Sequence, residues 1–281
     1  MVEQRTENPC VGGSTPSRAT RFLSDIVEKF YPSNFSMNLV VDAGNTRIKL
    51  GFFENKNLLQ HFVFNHIQEI DTNEVLKEYF EKVKYAIVSN VTDIEVDNSF
   101  RKYLSNASII NFSTLKNFPL QIDYKTPHTL GQDRIACAAG AIKEFQDANI
   151  LVIDLGTCIK YNVIKNKKFV GGAISPGLQM RYKALHHFTG KLPLLDSNEN
   201  ISSPIVGKDT QENLHSGVIN GCVAEINYFI DNITSDTDNW IIVLTGGDAL
   251  FFEKVIKRKV FLRPYLILDG LNEILEYQIG R

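Results

Sequence analysis

"VVDAGNTRIK" occupies residues 40–49, and a variant of it, "VIDLGTCIK", occupies residues 152–160. Each runs from apolar residues into an aspartate, a glycine and a hydroxyl residue, then leaves the turn as Ile-Lys into a second apolar stretch. Apolar runs on both sides of a short polar turn predict a β-hairpin at each place. Asp42 and Asp154 lie 112 positions apart, and the asparagines of the following turns, Asn55 and Asn166, lie 111 apart. One single-residue gap therefore keeps both hairpins in register, which predicts an internal duplication.

Working outward, "NLVVD", "RIKLGFFE" and "LLQHFVF" predict three tightly joined strands, followed by a helix in "TNEVLKEYFEKV" and a strand in "YAIVSNV". A helix in "DIEVDNSFRKYL" and a strand in "ASIINF" lead to a long loop over 113–130, of a length that is often functional. "GQDRIACAAGAIKEF" predicts a helix with polar residues at its entrance. The second half repeats the strand pattern in "NILVID", "IKYNVI" and "FVGGAI". It adds helices over about 177–188 and 210–232, a strand in "WIIVLTGG" and a last helix in "DGLNEILEYQI". The expected organisation is an extension over 1–36, carrying an amphipathic helix in "RFLSDIVEKFY", then units over 37–148 and 149–281.

Hydrophobic residues make up 43% and charged residues 22%, which excludes a disordered or fibrous chain. Thirty basic against thirty-two acidic residues give a net charge of −2, so no general attraction to nucleic acid or an anionic membrane is expected. No apolar run reaches the ~18 residues of a membrane span, and a cytoplasmic setting is expected. The four cysteines lack a C-x-x-C spacing and the six histidines lack a ligand motif such as H-E-x-x-H.

A strand ending in Asp-x-Gly has a use beyond turning. Glycine lets the backbone approach a phosphate, and the following amides and hydroxyl can donate to its oxygens. The aspartate can hold a hydrated Mg²⁺ that offsets the phosphate charge. Two such turns on duplicated units could clamp a polyphosphate from both sides of a cleft. Either copy alone also reads as an ordinary turn, but two in register weigh against that. Neither G-x-G-x-x-G nor a Walker A loop is present, and strand rather than helix follows each turn.

"DAGNTRIK", "GQDR", "DLGTCIKY", "GGAISPG" and "TGG", in this order, resemble the type III pantothenate kinases, also known as the Bvg accessory factor family, over essentially 37–281. The resemblance implies an α/β fold of duplicated actin-like (ribonuclease H-like) ATPase domains with mixed sheets. It also implies ATP-dependent phosphorylation of the pantothenate hydroxyl, the first step of coenzyme A synthesis, by a homodimer. Carried onto this chain, it gives ATP contacts to Asp42, Ala43, Gly44, Asn45, Thr46, Arg47, Ile48 and Lys49, and to Thr157, Gly246 and Gly247. Asp42 would serve Mg²⁺, directly or through water, and Asp154 a monovalent cation, K⁺ or NH4⁺. Asp133 would be the base, with Tyr124, Gly131, Gln132, Asp133 and Arg134 on the substrate and Thr210 reaching it from a second subunit.

Plainer readings stand beside these. Thr210 also reads as a helix N-cap, and Asp133 with Arg134 as an exposed helix-starting pair. Cys158 and Lys160 depart from the alanine and threonine that the family often has there, and Lys160 could reach phosphate or face solvent. A non-catalytic nucleotide-binding regulator on the same scaffold is the alternative function, and a kinase for a sugar or other alcohol is a third.

Overall fold

The computed structural model describes residues 36–92, 96–196, 203–235 and 239–280. The amphipathic helix expected over 21–31 lies outside the described residues. The first hairpin is β1 (Met37–Ala43) and β2 (Ile48–Glu54), continued by β3 (Asn57–Phe64). Two short helices, α1 (Gln68–Asp71) and α2 (Glu74–Glu81), return the chain to β4 (Val83–Asn90), and α3 (Val96–Arg101) leads to β5 (Ser108–Asn111). The sheet order is β3-β2-β1-β4-β5, antiparallel through the hairpins and parallel beyond β1.

The second half repeats this plan. After β6 (Gln121–Ile122) and α4 (Gln132–Glu144), the strands β7 (Asn149–Leu155), β8 (Cys158–Lys165) and β9 (Lys168–Pro176) form the second pair of hairpins. Helices α5 (Leu178–His187), α6 (Thr210–His215) and α7 (Gly221–Ile233) precede β10 (Trp240–Thr245). Helix α8 (Ala249–Glu253), β11 (Phe261–Leu262) and α9 (Leu266–Gln278) end the described chain. The order β9-β8-β7-β10-β11 matches the first sheet strand for strand, so the fold is the duplicated α/β arrangement with mixed sheets that the resemblance implies. The asparagine turns are equivalent too: Asn55 and Asn166 take φ of 52° and 51°, a left-handed conformation that asparagine tolerates.

Alternation along the strands sorts the side chains into three layers. Leu39, Val41 and Ala43 of β1 face an outer core with Tyr79, Phe80 and Phe100. Leu151, Ile153 and Leu155 of β7 face another with Tyr182, Cys222 and Phe252. Val40, Ile150 and Val152 face a central core between the sheets, filled by α4 and α9. Parity therefore aims both Asp42 and Asp154 into the central layer.

The two central helices exchange halves. Helix α4 precedes the second sheet and packs on β7 and β8, whereas α9 closes the chain and packs on β1, β2 and β4. A buried network holds α9 there: Asn38 Nδ2 donates to Asn272 Oδ1 at 3.1 Å and to Glu276 Oε1 at 2.5 Å. Asn272 Nδ2 in turn donates to the Asn55 carbonyl at 2.6 Å. The helices cross at contact distance, because a Cβ on Gly270 would lie 1.8 Å from the Ala136 carbonyl oxygen.

The structure departs from the sequence reading in three places. The loop over 113–130 is partly ordered by β6, which adds to the edge of the second sheet through Gln121↔Lys168 and Ile122↔Phe169. Two-residue strands carry no readable period. The helix expected over 210–232 is interrupted by a π-helical turn, Ser216–Asn220, a feature often found at functional sites. Asp209, not Thr210, caps α6, its carboxylate accepting from Glu212 N at 2.8 Å.

Candidate active site

Both acidic turns sit at the same end of the sheets and meet. In the first, Gly44 N donates to the Arg47 carbonyl at 3.0 Å, closing a tight loop that leaves Asn45, Thr46 and Arg47 exposed. In the second, Gly156 N donates to the Cys158 carbonyl at 3.1 Å, leaving Thr157 exposed. Thr46 Oγ1 lies 2.8 Å from Thr157 Oγ1, so two hydroxyls 111 positions apart touch across the cleft. Ala43 and Ile48 turn their side chains into the outer core, and only their backbones can face a ligand.

The end of β10 closes the same corner. Asp248 N donates to the Leu155 carbonyl at 2.9 Å, and Gly246 takes φ +94°, a conformation that disfavours any side chain. A Cβ at Gly246 would stand 2.3 Å from the Leu155 carbonyl oxygen and 2.7 Å from Asp154 Oδ1. Gly247 beside it opens onto free space. Burial raises the pKa of Asp248, and the charge of Arg47 from the first turn works against that rise.

Helix α4 starts between the turns. Gln132 Oε1 accepts from Asn90 N at 3.1 Å, tying the helix start to the end of β4. Asp133 Oδ1 accepts from Arg134 N at 2.9 Å, while its Oδ2 receives a bond from Lys160 Nζ at 2.5 Å. The same ammonium donates to Asp154 Oδ2 at 2.7 Å. Lys160 and Asn162 share one face of β8, and both meet the start of α4: Arg134 Nε donates to Asn162 Oδ1 at 2.6 Å. The exposed-pair reading of Asp133 and Arg134 is thereby corrected. Arg134 is buried, with its guanidinium 5.2 Å from the centre of the Phe169 ring.

Charge is concentrated here. Burial raises the pKa of Asp42, with Asp133 and Asp154 adding to the rise and Lys49, at 3.6 Å, and Lys160 opposing it. Burial works against the charge on Lys160, but Asp154 and Asp133 outweigh it and raise its pKa, so the ammonium persists at neutral pH.

A cavity of about 640 Å³ adjoins Arg134, lined by Asp123, Tyr124, Lys125, Thr126, Val170, Gly171 and Gly172. Its neighbourhood is fixed by geometry: a Cβ on Gly172 would lie 2.9 Å from Arg134 Nη2, and Tyr124 meets the edge of Phe169 at 5.9 Å. Asn162 Nδ2 is buried without a hydrogen-bond partner among the described residues. Thr210 is exposed at the start of α6, and nothing within the described chain brings it to this cavity.

The family model for type III pantothenate kinase matches residues 38–232, more than half of the chain. The chain belongs to the type III pantothenate kinase family. A type III pantothenate kinase of Flavobacterium johnsoniae is 43% identical over 86% of this chain and 99% of its own length. Another from Christiangramia forsetii is 38% identical, over 86% of this chain and 98% of its own. A solved Baf family protein from Campylobacter jejuni, described as a transcriptional activator, covers 86% of this chain and 100% of its own at a TM-score of 0.58. At 23% identity it bears on the fold alone.

A kinase of this family uses ATP with a divalent metal, and the residues present fit both. Asp42 is a buried carboxylate in a field of two further carboxylates, and the paired threonine hydroxyls stand at the turn beside it. The monovalent cation fits less well, because Asp154 already receives the Lys160 ammonium. Lys160, Asn162 and Phe169 are the residues of this pantothenate kinase family site that reading the sequence left without a role. For Lys160 a signal existed, since Asp154↔Lys160 repeats the register of Asp42↔Lys49.

Proposed function

We propose that this chain phosphorylates pantothenate at its hydroxyl, using ATP with Mg²⁺, the opening step of coenzyme A synthesis. The observation that carries the reading is convergence. Two turns from opposite halves touch at Thr46 and Thr157, and the helix start bearing Asp133 is tied to the second of them through Lys160. Bound Mg²⁺·ATP supplies the γ-phosphoryl group and the charge that offsets its neighbours. The hydroxyl and amide groups of 44–47 and of Thr157 would orient the phosphates, and Asp42 would hold the metal, directly or through water. The substrate hydroxyl oxygen bonds to the γ-phosphorus as the bond to ADP breaks, the electron pair leaving with ADP. The hydroxyl proton passes to Asp133, whose two oxygens keep lone pairs beyond those given to Lys160 and Arg134 N.

The cavity beside Arg134 supports pantothenate over a sugar. Its walls combine the ring of Tyr124, the ammonium-bearing Lys125 and the side-chain-free backbone of Gly171 and Gly172, with the buried guanidinium of Arg134 directly behind Gly172, a setting that suits a carboxylate on a partly apolar body. Gly246 and Gly247 would leave flat backbone for the adenine ring, and a cytoplasmic setting belongs to the same reading. A homodimer is also part of it. Phe188, Ile205, Val206 and Tyr228 are between 64% and 81% exposed, just after α5, in the segment before α6 and on α7, and a second copy covering them would bury apolar surface near Thr210. Light scattering should then give twice the mass of one chain.

The test is ADP release with pantothenate against a panel of sugars and simple alcohols. Turnover confined to pantothenate is expected. Turnover with a sugar but not pantothenate would replace the substrate, and nucleotide binding without turnover on any alcohol would favour the regulator.

A further inference from the structure

The second hairpin carries its own cation. Lys160 extends from β8 so that Nζ stands 2.7 Å from Asp154 Oδ2 and 2.5 Å from Asp133 Oδ2, with its side chain only 20% exposed. Both contacts are close enough for charge-assisted hydrogen bonds. The carboxylate that the family resemblance gives to K⁺ or NH4⁺ is therefore already paired, and a free monovalent ion would meet a like charge in a half-buried place. An ammonium on a tether has the same single charge as NH4⁺ and three of its four N–H donors. We propose that Lys160 takes the place of the monovalent cation, so that nucleotide binding and turnover in this chain do not depend on added K⁺ or NH4⁺. The inference rests on the reading of Asp154 as the cation-holding residue of the second phosphate turn.

The position of Lys160 is built into the register. Antiparallel pairing sets it opposite Asp154, and its neighbours Ile159 and Tyr161 are buried in the outer core, which leaves the cleft side for the lysine. Its counterpart Lys49 stays 3.6 Å from Asp42, so the first turn keeps a carboxylate less tightly engaged. The charged groups around Lys160 from the packed elements are Asp154 on β7, Asp133 on α4 and, further off, Asp42 on β1, a net negative setting that retains the ammonium.

The experiment uses the full chain and calorimetric titration of Mg²⁺·ADP, in tetramethylammonium chloride and in KCl at matched ionic strength. The expected dissociation constants agree within about twofold. Lys160→Met should weaken binding at least tenfold in tetramethylammonium, with recovery in KCl or ammonium chloride. Lys160→Thr serves as the second variant if circular dichroism shows that the methionine chain does not fold. Binding by the unaltered chain that rises tenfold or more with K⁺ would overturn the proposal, as would folded variants that bind equally in every salt. Cation-independent ADP binding without pantothenate turnover counts against the proposed function and leaves Lys160 standing. Absence of nucleotide binding in both salts overturns both.

Discussion

In the first hairpin Lys49 stands 3.6 Å from Asp42 with its side chain 31% exposed; in the second, Lys160 stands 2.7 Å from Asp154, is 20% exposed, and also reaches Asp133. The registers are equivalent, Asp42↔Lys49 and Asp154↔Lys160, yet the first turn holds one residue more. Duplication thus set the same two residue types opposite each other twice, and local context gave them different work. Where the lysine stands off, the buried carboxylate is less tightly paired and sits in the field of two further carboxylates, as the proposed metal role requires. Where the lysine closes in, the carboxylate is neutralised from within.

The sharpest break of this comparison comes from the group between the hairpins. Asp133→Asn keeps the size of the side chain and removes the base, so kcat should fall roughly 10²–10⁴-fold in a coupled ADP assay while ADP affinity holds. Unchanged turnover would remove Asp133 from the chemistry. Next comes Asp42→Asn, which should lower turnover by about 10²-fold or more and shift the Mg²⁺ dependence to higher concentration. The same variant should be the more heat-stable chain without ligand. Burial raises the pKa of Asp42 above 3.8, so the folded state holds that proton more tightly than the unfolded chain. The stability it gives is complete below 3.8 and is lost as pH rises through the folded value, so the gain in Tm for Asn appears at neutral pH and vanishes in acid.

Smaller effects probe what keeps the hairpins facing each other. Gly270→Ala drives a methyl toward the Ala136 carbonyl and should cost about 1–3 kcal/mol in urea unfolding, because backbone on both sides must move. An unchanged urea midpoint would mean that the crossing of α4 and α9 is looser than described. Tyr124→Ala should raise KM for pantothenate roughly tenfold, about 1.4 kcal/mol, with kcat little changed.

The hairpins, their one-residue offset and the helix behind "GQDR" were legible because period-two alternation and turn residues are local signals. The exchange of α4 and α9 was not, since the fit of Gly140 and Gly270 against the facing helix exists only once the two backbones are brought together. The turn residues were legible as a phosphate-binding pattern from their types and Asp133 as a base only through the family resemblance, and the structure places both near one cleft. Asn162 was invisible for the opposite reason: a lone asparagine in a strand has no meaning before Arg134 is laid over it. Thr210 lies on an exposed helix start, and only the proposed second copy of the chain would bring it to the site.

That both hairpins grip one nucleotide is tested most directly by a double-mutant cycle on Mg²⁺·ATP affinity with Thr46→Val, Thr157→Val and the double variant, measured by calorimetry on the Asp133→Asn background. Hydroxyls 2.8 Å apart that act on the same phosphates should be coupled by about 0.5–3 kcal/mol. Losses that simply add, or a Thr157→Val variant that binds ATP as tightly as its parent, would contradict the clamp.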